Sequence, residues 1–382
     1  MARMGVCWVA GLLLAGLAGC ATVSPSTPTN PYYDPAKPHH TPRGFKNNYL
    51  PEGGKSLRDL LRWNWEAWRQ GLPKAPAQAT PRQAPDLTLI AANSQARQAD
   101  KPSASPAVTW IGHASLLVQA GRLNVLVDPV FSERASPVSF MGPRRAQPPG
   151  LALAQLPPID VVLISHNHYD HLDEPSVKAL AERGRVLGAE PLFIVPLGLK
   201  PWLAARGIGR VLELDWWEQH RHADNTFYLT PAQHWSARGF GDRSETLWGG
   251  FAVFAPDFHW FYSGDTGYSK DFENIRTRFS GPASAGGFGA QWRGFDLAMI
   301  PVGAYEPRWF MKEQHVNPAE ALQIHRDVGA RRSLGVHWGV FALTDEALDQ
   351  PPKDLALARQ QTKVTEDEFF LMRIGETRQF PA

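Results

Sequence analysis

The sequence predicts an α/β protein in which sheet layers are covered by helices. Short apolar runs typical of β-strands follow one another from Val108 onward, and helical patterns lie between some of them. The chain has 382 residues, of which 43% are hydrophobic, so it can bury a sizeable core in one large domain or in two. The 39 basic and 37 acidic residues give a net charge of +2, which does not favour a nucleic-acid-binding protein.

The apolar runs give the positions of the expected elements. Helices are predicted over 174–183, 199–205 and 318–328, and the last begins with an N-cap residue, Asn317, followed by Pro318 in its first turn. The segment 280–294 is rich in Gly, Ala and Ser and predicts a flexible surface insertion. The predicted strands are 108–111, 115–119, 124–127, 161–164, 193–195, 211–214, 226–229, 250–254, 260–262, 297–300 and 334–336.

The N-terminus has the pattern of an export signal. Arg3 precedes an apolar stretch, 5–18, that is too short for a comfortable membrane span and is typical of a signal peptide. The stretch ends in Leu-Ala-Gly-Cys, which resembles a bacterial lipobox, so residues 1–20 are predicted to be a lipoprotein signal with lipid carried by Cys20. An ordinary signal peptide cut nearby is the alternative. The lipobox resemblance, with Ala21 after the cysteine, implies a lipid-anchored protein of the cell envelope, at the outer membrane facing the periplasm.

Three further regions follow this signal. Residues 21–42 are rich in Pro, Ser and Thr and are expected to form a flexible tether. Residues 43–106 form an N-terminal extension, in which 55–70 predicts an amphipathic helix with apolar residues at helical spacing and 71–106 a long surface connection. That helix either packs on its own domain or presents tryptophan to a membrane interface. Residues 107–382 form the main domain. The helical apolar stripe consists of Leu57, Leu61, Trp65 and Trp68.

The most informative segment directly follows the predicted strand 161–164. Within six residues it carries three histidines and one aspartate: His166, His168, Asp170 and His171. A polar loop with incidental histidines is the alternative, but later strands also lead to titratable residues. Strand 226–229 leads to His234, strand 260–262 to Asp265, and strand 334–336 to His337. Ligands delivered from the ends of several strands can converge at one edge of a sheet and be held rigidly.

These seven side chains are too many for one tetrahedral ion and suit two ions that share a bridging carboxylate. Imidazoles with carboxylates favour zinc, with iron or manganese as alternatives. Paired ions clamp the attacking and leaving oxygens of a phosphoester, and zinc lowers the pKa of its bound water to about 7. The chemistry therefore needs no Ser or Cys nucleophile. A non-catalytic protein whose metals only hold the fold is a weaker alternative, because a structural zinc site is closed by four protein ligands.

Beyond the histidine motif, several longer segments are informative. With them the chain resembles the metallo-β-lactamase fold superfamily and, within it, the N-acylphosphatidylethanolamine-hydrolysing phospholipases D, from about Gly44 to Arg378. The H-x-H-x-D-H motif alone indicates only the superfamily, whereas other segments are more specific to the lipase. The more specific segments are E-L-D-W-W-E, G-A-Y-E-P-R-W-F and H-W-G-x-F-A-L, with x being Val340 here.

The resemblance implies a four-layer αβ/βα sandwich that holds two Zn²⁺ ions. One ion would take His166, His168 and His234, the other would take Asp170, His171 and His337, and Asp265 would bridge them. A bridging hydroxide would attack the phosphorus of a membrane phospholipid, which releases N-acylethanolamine and leaves phosphatidate. The resemblance further places Gln314 and His315 near the substrate, where His315 would orient or protonate, and makes His113 and Asp128 supporting residues that orient the ligands.

The sequence also departs from the family pattern. Phe140 and Glu174 stand where animal members carry tyrosines of the substrate groove, so recognition of the N-acyl amide is open. The alternative is another hydrolase on the same scaffold, which would cleave a different phospholipid, a cyclic phosphodiester or a lactone. Animal members form dimers, and whether this chain forms a homodimer is also open.

Overall fold

The computed structural model describes residues 29–51, 53–99, 105–239 and 241–381. The strands are β1 His40–Thr41, β2 Gly44–Phe45, β3 Ala107–Gly112, β4 Ser115–Ala120, β5 Leu123–Val127, β6 Val161–Leu163, β7 Leu192–Pro196, β8 Val211–Leu214, β9 Gln219–His222, β10 Asn225–Thr230, β11 Gly250–Phe254, β12 His259–Tyr262, β13 Leu297–Pro301, β14 Ser333–Val336, β15 Phe369–Phe370 and β16 Thr377–Gln379. The α-helices are α1 Leu57–Gln70, α2 Leu87–Gln98, α3 Glu174–Val186, α4 Lys200–Ala204, α5 Asp271–Ser280, α6 Arg308–Met311, α7 Pro318–Asp327 and α8 Gln350–Thr362.

Two seven-stranded sheets form the centre of the molecule. One has the order β15-β14-β13-β12-β11-β10-β9 and the other the order β16-β3-β4-β5-β6-β7-β8. In β4, Leu116 and Val118 lie in the core between the sheets, while Leu117 packs on the helix side with Val177 and Leu180 of α3. Because side chains alternate between the two faces, such a strand is apolar throughout when both faces are covered. The predicted α/β fold with helices outside two sheets, the αβ/βα sandwich, is confirmed.

Several helices were not predicted. Helix α2 lies within the region expected to be a surface connection, and it packs through Ile90 and through Ser94, whose hydroxyl accepts a bond of 2.8 Å from Asn124. Helices α5 and α8 were also missed, because their apolar residues are diluted by charged and amide side chains. The expected insertion 280–294 is held to the main core by Phe288 and Trp292.

The chain from residue 29 to residue 49 lies against the main domain, and we call it the N-terminal strap. Tyr32 donates to Glu213, Lys37 pairs with Asp215, and Phe45 is buried in the core between the sheets. These contacts show that the described part of the predicted tether, 29–42, is folded against the domain and is not a flexible tether. The prediction missed this because the Pro-rich composition does not reveal such contacts. Residues 1–28, which include Cys20 and the predicted signal peptide, lie outside the described residues.

Helix α1 is present as predicted, and it begins with a capping box formed by Ser56 and Asp59. It packs through Trp63, whose indole donates to Asp345 at 2.9 Å and contacts Phe310 at 4.8 Å between ring centroids. The predicted apolar stripe is on the exposed side: Trp65 is 55% and Trp68 70% exposed. Among the described residues, no helix is both long and apolar enough to cross a membrane.

Candidate metal centre

The side chains of the candidate centre come from one edge of the two sheets. The loop between β6 and α3 supplies the histidine motif, and β10, β12 and β14 are followed by His234, Asp265 and His337. Strands β10, β12 and β14 run in the same direction, so their carboxyl ends lie at the same edge of the sheet. The backbone just before Asp265 packs closely against that of Gly249. Gly264 permits this contact, because its φ is 62° and an added Cβ would lie 2.6 Å from the carbonyl oxygen of Gly249.

The first group of ligand atoms consists of three imidazole nitrogens. His166 Nε2 lies 2.9 Å from His168 Nδ1, and His168 Nδ1 lies 3.3 Å from His234 Nε2. All three atoms lie within 4.8 Å of one another. Nitrogens at about 2.0–2.1 Å from one zinc ion are separated by distances of this order, so this group fits a tetrahedral ion with one position open.

The second group lies beside the first and contains a carboxylate. His337 Nε2 lies 3.2 Å from Asp170 Oδ2, and His171 Nε2 lies 3.5 Å from the same oxygen. Asp265 Oδ2 is 3.1 Å from His337 Nε2 and 3.2 Å from His171 Nε2. The same Asp265 oxygen is 4.0 Å from His166 Nε2 and 3.9 Å from His234 Nε2. A single carboxylate thus faces both groups, as a bridging ligand requires.

One of the candidate ligand atoms is left without a hydrogen-bond partner in the described part of the chain, as expected for an atom that binds a metal ion. His171 Nε2 is fully buried and has no hydrogen-bond partner among the described residues, although it faces two carboxylates. A buried polar atom without a partner costs free energy, and a bound ion would satisfy it. The residues present therefore fit a two-metal site.

Three of the histidines are oriented through Nδ1, so that Nε2 faces the centre. His171 Nδ1 donates to Asp128 at 2.7 Å, and His234 Nδ1 donates to the Gln314 carbonyl at 2.9 Å. His166 Nδ1 is 2.9 Å from the hydroxyl of Ser165, and that hydroxyl donates to Asp128 at 2.6 Å. Partners of this kind fix the tautomer and the ring orientation of metal ligands.

His113 and Asp128 lie where supporting residues were predicted. His113 Nε2 is 3.0 Å from Asp170 Oδ2, and Asp128 faces His171. His113, Asp128 and His337 have φ values of 56°, 39° and 62°. Each such residue costs about 1–3 kcal/mol, and this strain is typical of functional sites.

The pKa shifts in the centre follow two patterns: neighbouring charges favour the charged form of some side chains, and burial favours the neutral form of others. Burial opposes charge on Asp265, but His171 and His337 hold its pKa well below the usual value. Burial also opposes charge on His337, but Asp265 and Asp170 raise its pKa to about 9. For His168 burial dominates and lowers the pKa to about 4, so this imidazole is neutral at neutral pH.

Of the predicted substrate-contacting residues, His315 lies in the centre. Its Nδ1 is 3.9 Å from Asp265 Oδ2, and its ring lies 5.1 Å from that of His234. Burial lowers the pKa of His315 to about 4, so the side chain is neutral at neutral pH and suited to orient a substrate rather than to donate a proton. Gln314 is buried, and its backbone carbonyl accepts the hydrogen bond from Nδ1 of His234.

Phe140 and Glu174, the other two predicted substrate-contacting residues, lie outside the cluster of candidate ligands. Phe140 is 77% exposed in the loop between β5 and β6. Glu174 begins α3, and its carboxylate pairs with Arg206 at 2.8 Å. The structure thus brings together the seven predicted ligands, His315 and the two supporting residues, and leaves these two outside that cluster.

Sequence reasoning missed several residues around the centre. Tyr262 donates to Asp128 at 2.5 Å, and the ring centroid of Trp235 lies 4.3 Å from that of His168. Arg238 donates to the backbone carbonyls of Asn167 and Leu172 at 2.8 and 2.7 Å. It thereby stabilises the loop between β6 and α3 that carries the histidine motif, which we call the histidine loop. Trp235 directly follows the predicted ligand His234, and Tyr262 ends the predicted strand that leads to Asp265, so the sequence held a signal for both. It held none for Arg238.

Comparisons with known proteins agree with this geometry. Residues 123–338 match the β-lactamase superfamily domain. N-acyl-phosphatidylethanolamine-hydrolyzing phospholipase D 1 of Caenorhabditis elegans is 40% identical, over 70% of this chain and 74% of its own length. The mitochondrial protein of that name from Saccharomyces cerevisiae is 34% identical, over 71% of this chain and 55% of its own.

A solved structure supports the fold alone. A possible metal-dependent hydrolase from Veillonella parvula aligns with a TM-score of 0.57 at 17% identity, over 72% of this chain and 100% of its own. The chain therefore belongs to the β-lactamase superfamily of metal-dependent hydrolases, in the group that contains the N-acylphosphatidylethanolamine-hydrolysing phospholipases D.

Proposed function

We propose that this protein is a dinuclear zinc phosphodiesterase that hydrolyses N-acylphosphatidylethanolamine to N-acylethanolamine and phosphatidate. The observation that carries the proposal is the position of Asp265 Oδ2 between two groups of imidazole ligands. The relative from Caenorhabditis elegans, named for this activity, supports the choice of substrate.

When bound, two such ions supply a hydroxide at neutral pH and polarise the phosphoryl oxygens of the substrate. The chain's own residues then have defined roles. Asp265 and Asp170 balance the positive charge of the centre, and Asp128 keeps His171 in the tautomer that presents Nε2. Neutral His315, at the partly exposed side of the cluster, orients the phosphodiester.

A membrane surface is the proposed partner, and a phospholipid in that surface is the substrate. Support comes from helix α1, which turns an apolar stripe with two tryptophans to solvent while its other side packs on the domain. Arg69 lies 4.9 Å above the ring of Trp65, and such basic residues beside interfacial tryptophans suit an anionic bilayer. The proposed anchor is a lipid on Cys20, which would hold the protein at the outer membrane facing the periplasm.

The test is hydrolysis of defined lipids by the purified protein loaded with zinc. Release of N-acylethanolamine and phosphatidate in equal amounts supports the proposal, provided that a metal assay finds two ions per chain. Absence of N-acylethanolamine from protein with both ions bound rejects the substrate but leaves the metal centre standing.

A second candidate is a hydrolase of the same centre that acts on another phospholipid, a cyclic phosphodiester or a lactone. The pairing of Glu174 with Arg206 favours it, because this carboxylate stands where the resemblance places a tyrosine of the substrate groove. A panel that compares N-acylated with plain phosphatidylethanolamine, and both with a soluble lactone, separates the candidates.

A further inference from the structure

The N-terminal strap reaches the metal centre through one side chain. The Nδ2 amide of Asn47 donates to the carbonyl oxygen of His234 at 2.9 Å, and the Oδ1 of Asn47 accepts from the amide of His234 at 2.9 Å. A single asparagine thus satisfies both backbone polar groups of a candidate ligand. His234 is buried, so without Asn47 its amide and carbonyl would be left without these partners, which is unfavourable for a buried backbone group.

The opposite side of this ligand is held by a different segment. His234 Nδ1 donates to the carbonyl of Gln314, and the preceding residue, Gln233, is paired with Gly267. The first contact fixes the imidazole and the second holds the backbone of Gln233, whereas Asn47 holds the backbone of His234 itself, from which the imidazole projects. Among His166, His168 and His234, only His234 comes from outside the histidine loop, so its position decides whether the first group closes around an ion.

The strap is itself clamped by a buried carboxylate. Asp215 accepts from His39 at 2.7 Å, from His40 at 2.9 Å and from Lys37 at 2.5 Å. All three are hydrogen-bond distances, and one of the three donors is the ammonium group of Lys37, which would repel a cation. Lys37 also supplies the compensating charge, so this cluster is a clamp for the strap rather than a further metal site.

We infer that Asn47 is a positioning residue of the metal centre, through which the clamped N-terminal strap sets the place of His234. The inference rests on the metal centre of the proposed function, but not on its substrate. It makes the strap a part of the working site, although the strap lies far from the centre in sequence and supplies no ligand.

The experiment is a metal titration of the full-length Asn47→Ala variant. Outer partners of metal ligands typically contribute about 10–100-fold to metal affinity, and we expect a loss of that order for one ion of the two. The other ion should bind as in the unaltered protein, because the side-chain hydrogen bonds of Asn47 go to His234 and not to Asp170, His171 or His337. Competition with a chromophoric chelator gives both affinities, and the absorption spectrum of the cobalt-substituted protein reports the geometry at the weakened position.

The neighbouring residue provides a matched control. Asn48 also belongs to the strap, and its side chain donates to Asp271 at 2.8 Å, away from the candidate ligands. Asn48→Ala should leave both metal affinities and the cobalt spectrum unchanged. If Asn47→Ala yields no folded protein, Asn47→Asp keeps an oxygen for the amide of His234 and takes its place in the titration.

Two outcomes overturn the inference. One is an Asn47 variant that binds both ions as tightly as the unaltered protein. The other is an Asn48→Ala variant that weakens the same ion to the same extent, because the strap would then act only through general stability. Since no lipid is present in the titration, a failure of the proposed substrate leaves this result intact.

Discussion

The carboxylate of Asp128 accepts a hydrogen bond of 2.7 Å from Nδ1 of His171. The same oxygen accepts from Ser165 at 2.6 Å, and the Ser165 hydroxyl is 2.9 Å from Nδ1 of His166. Asp128 therefore orients one imidazole in each group of ligands, directly in one and through a hydroxyl in the other. Tyr262 adds a third donor to this oxygen, and burial together with the charge of Asp128 holds its pKa well above the usual value, so it stays protonated.

The first prediction is that Asp128→Asn weakens binding of both ions by about 10–100-fold, the usual effect of losing a partner that orients metal ligands. Tyr262→Phe removes only one of the three donors and should have a smaller effect in the same direction. Metal competition titrations of the two variants measure both effects. Tyr268→Phe, which breaks a tyrosine–aspartate bond of 2.7 Å on the surface, serves as the control and should bind both ions normally.

The second prediction is that Asp265→Asn abolishes hydrolysis and lowers the metal content below two ions per chain. An amide carries no negative charge to balance two ions, and its neutral carbonyl oxygen is a weaker bridging ligand than a carboxylate oxygen. Elemental analysis and a lipid assay on the same preparation provide the measurement. Asp224→Asn, at an exposed ion pair with Arg122, should keep full activity. An active Asp265→Asn protein with two ions would contradict the bridging role.

The sequence revealed the ligands better than their surroundings. His234, Asp265 and His337 could be found because each follows a strand, and the ends of parallel strands meet at one edge. The division of the ligands into two groups followed from the family resemblance and not from their spacing. Asn47 and Arg238 could not be found, because both act through backbone groups that only the tertiary fold brings near.

The helices show a similar limit. Periodicity located α1, but it could not decide which side packs, because Trp63 on one side is as apolar as Trp65 on the other. Helix α2 was missed because Asn93 and Ser94 are buried through hydrogen bonds rather than through apolar contact. A buried polar face gives no hydrophobic period for a sequence to show.

The third prediction concerns the clamp of the strap. Burial opposes the charge of Asp215, but hydrogen bonds from His39 and Lys37 hold its pKa well below the usual value. Asp215→Asn breaks these pairs and should lower the free energy of unfolding by about 3 kcal/mol at neutral pH, as for other buried pairs that lose one partner. Urea unfolding measures the difference, and Glu366→Gln, at an exposed carboxylate that pairs with Arg359, should change little.

The pH dependence of that difference has a definite sign. A carboxyl whose folded pKa is depressed stabilises the protein above its unfolded pKa of about 3.9, and the contribution is lost as pH falls toward the folded pKa. The gap between the unaltered protein and Asp215→Asn should therefore stay constant from neutral pH down to about 4 and shrink below it. A gap that shrinks already between neutral pH and 5 would assign the effect to other groups.

The fourth prediction tests the exposed stripe of helix α1. Burying about 80 Å² of each indole in a bilayer surface stabilises binding by about 2 kcal/mol at 25 cal/mol per Å², more than tenfold in affinity. Trp65→Ala and Trp68→Ala should each weaken vesicle binding by that factor, measured by sedimentation with anionic vesicles in a Cys20→Ser background that removes the proposed lipid. Leu357→Ala, an exposed apolar residue of α8, is the control. Because Trp65 and Trp68 are mostly exposed, thermal unfolding should change little. Equal vesicle binding by all variants would leave the stripe without a membrane role.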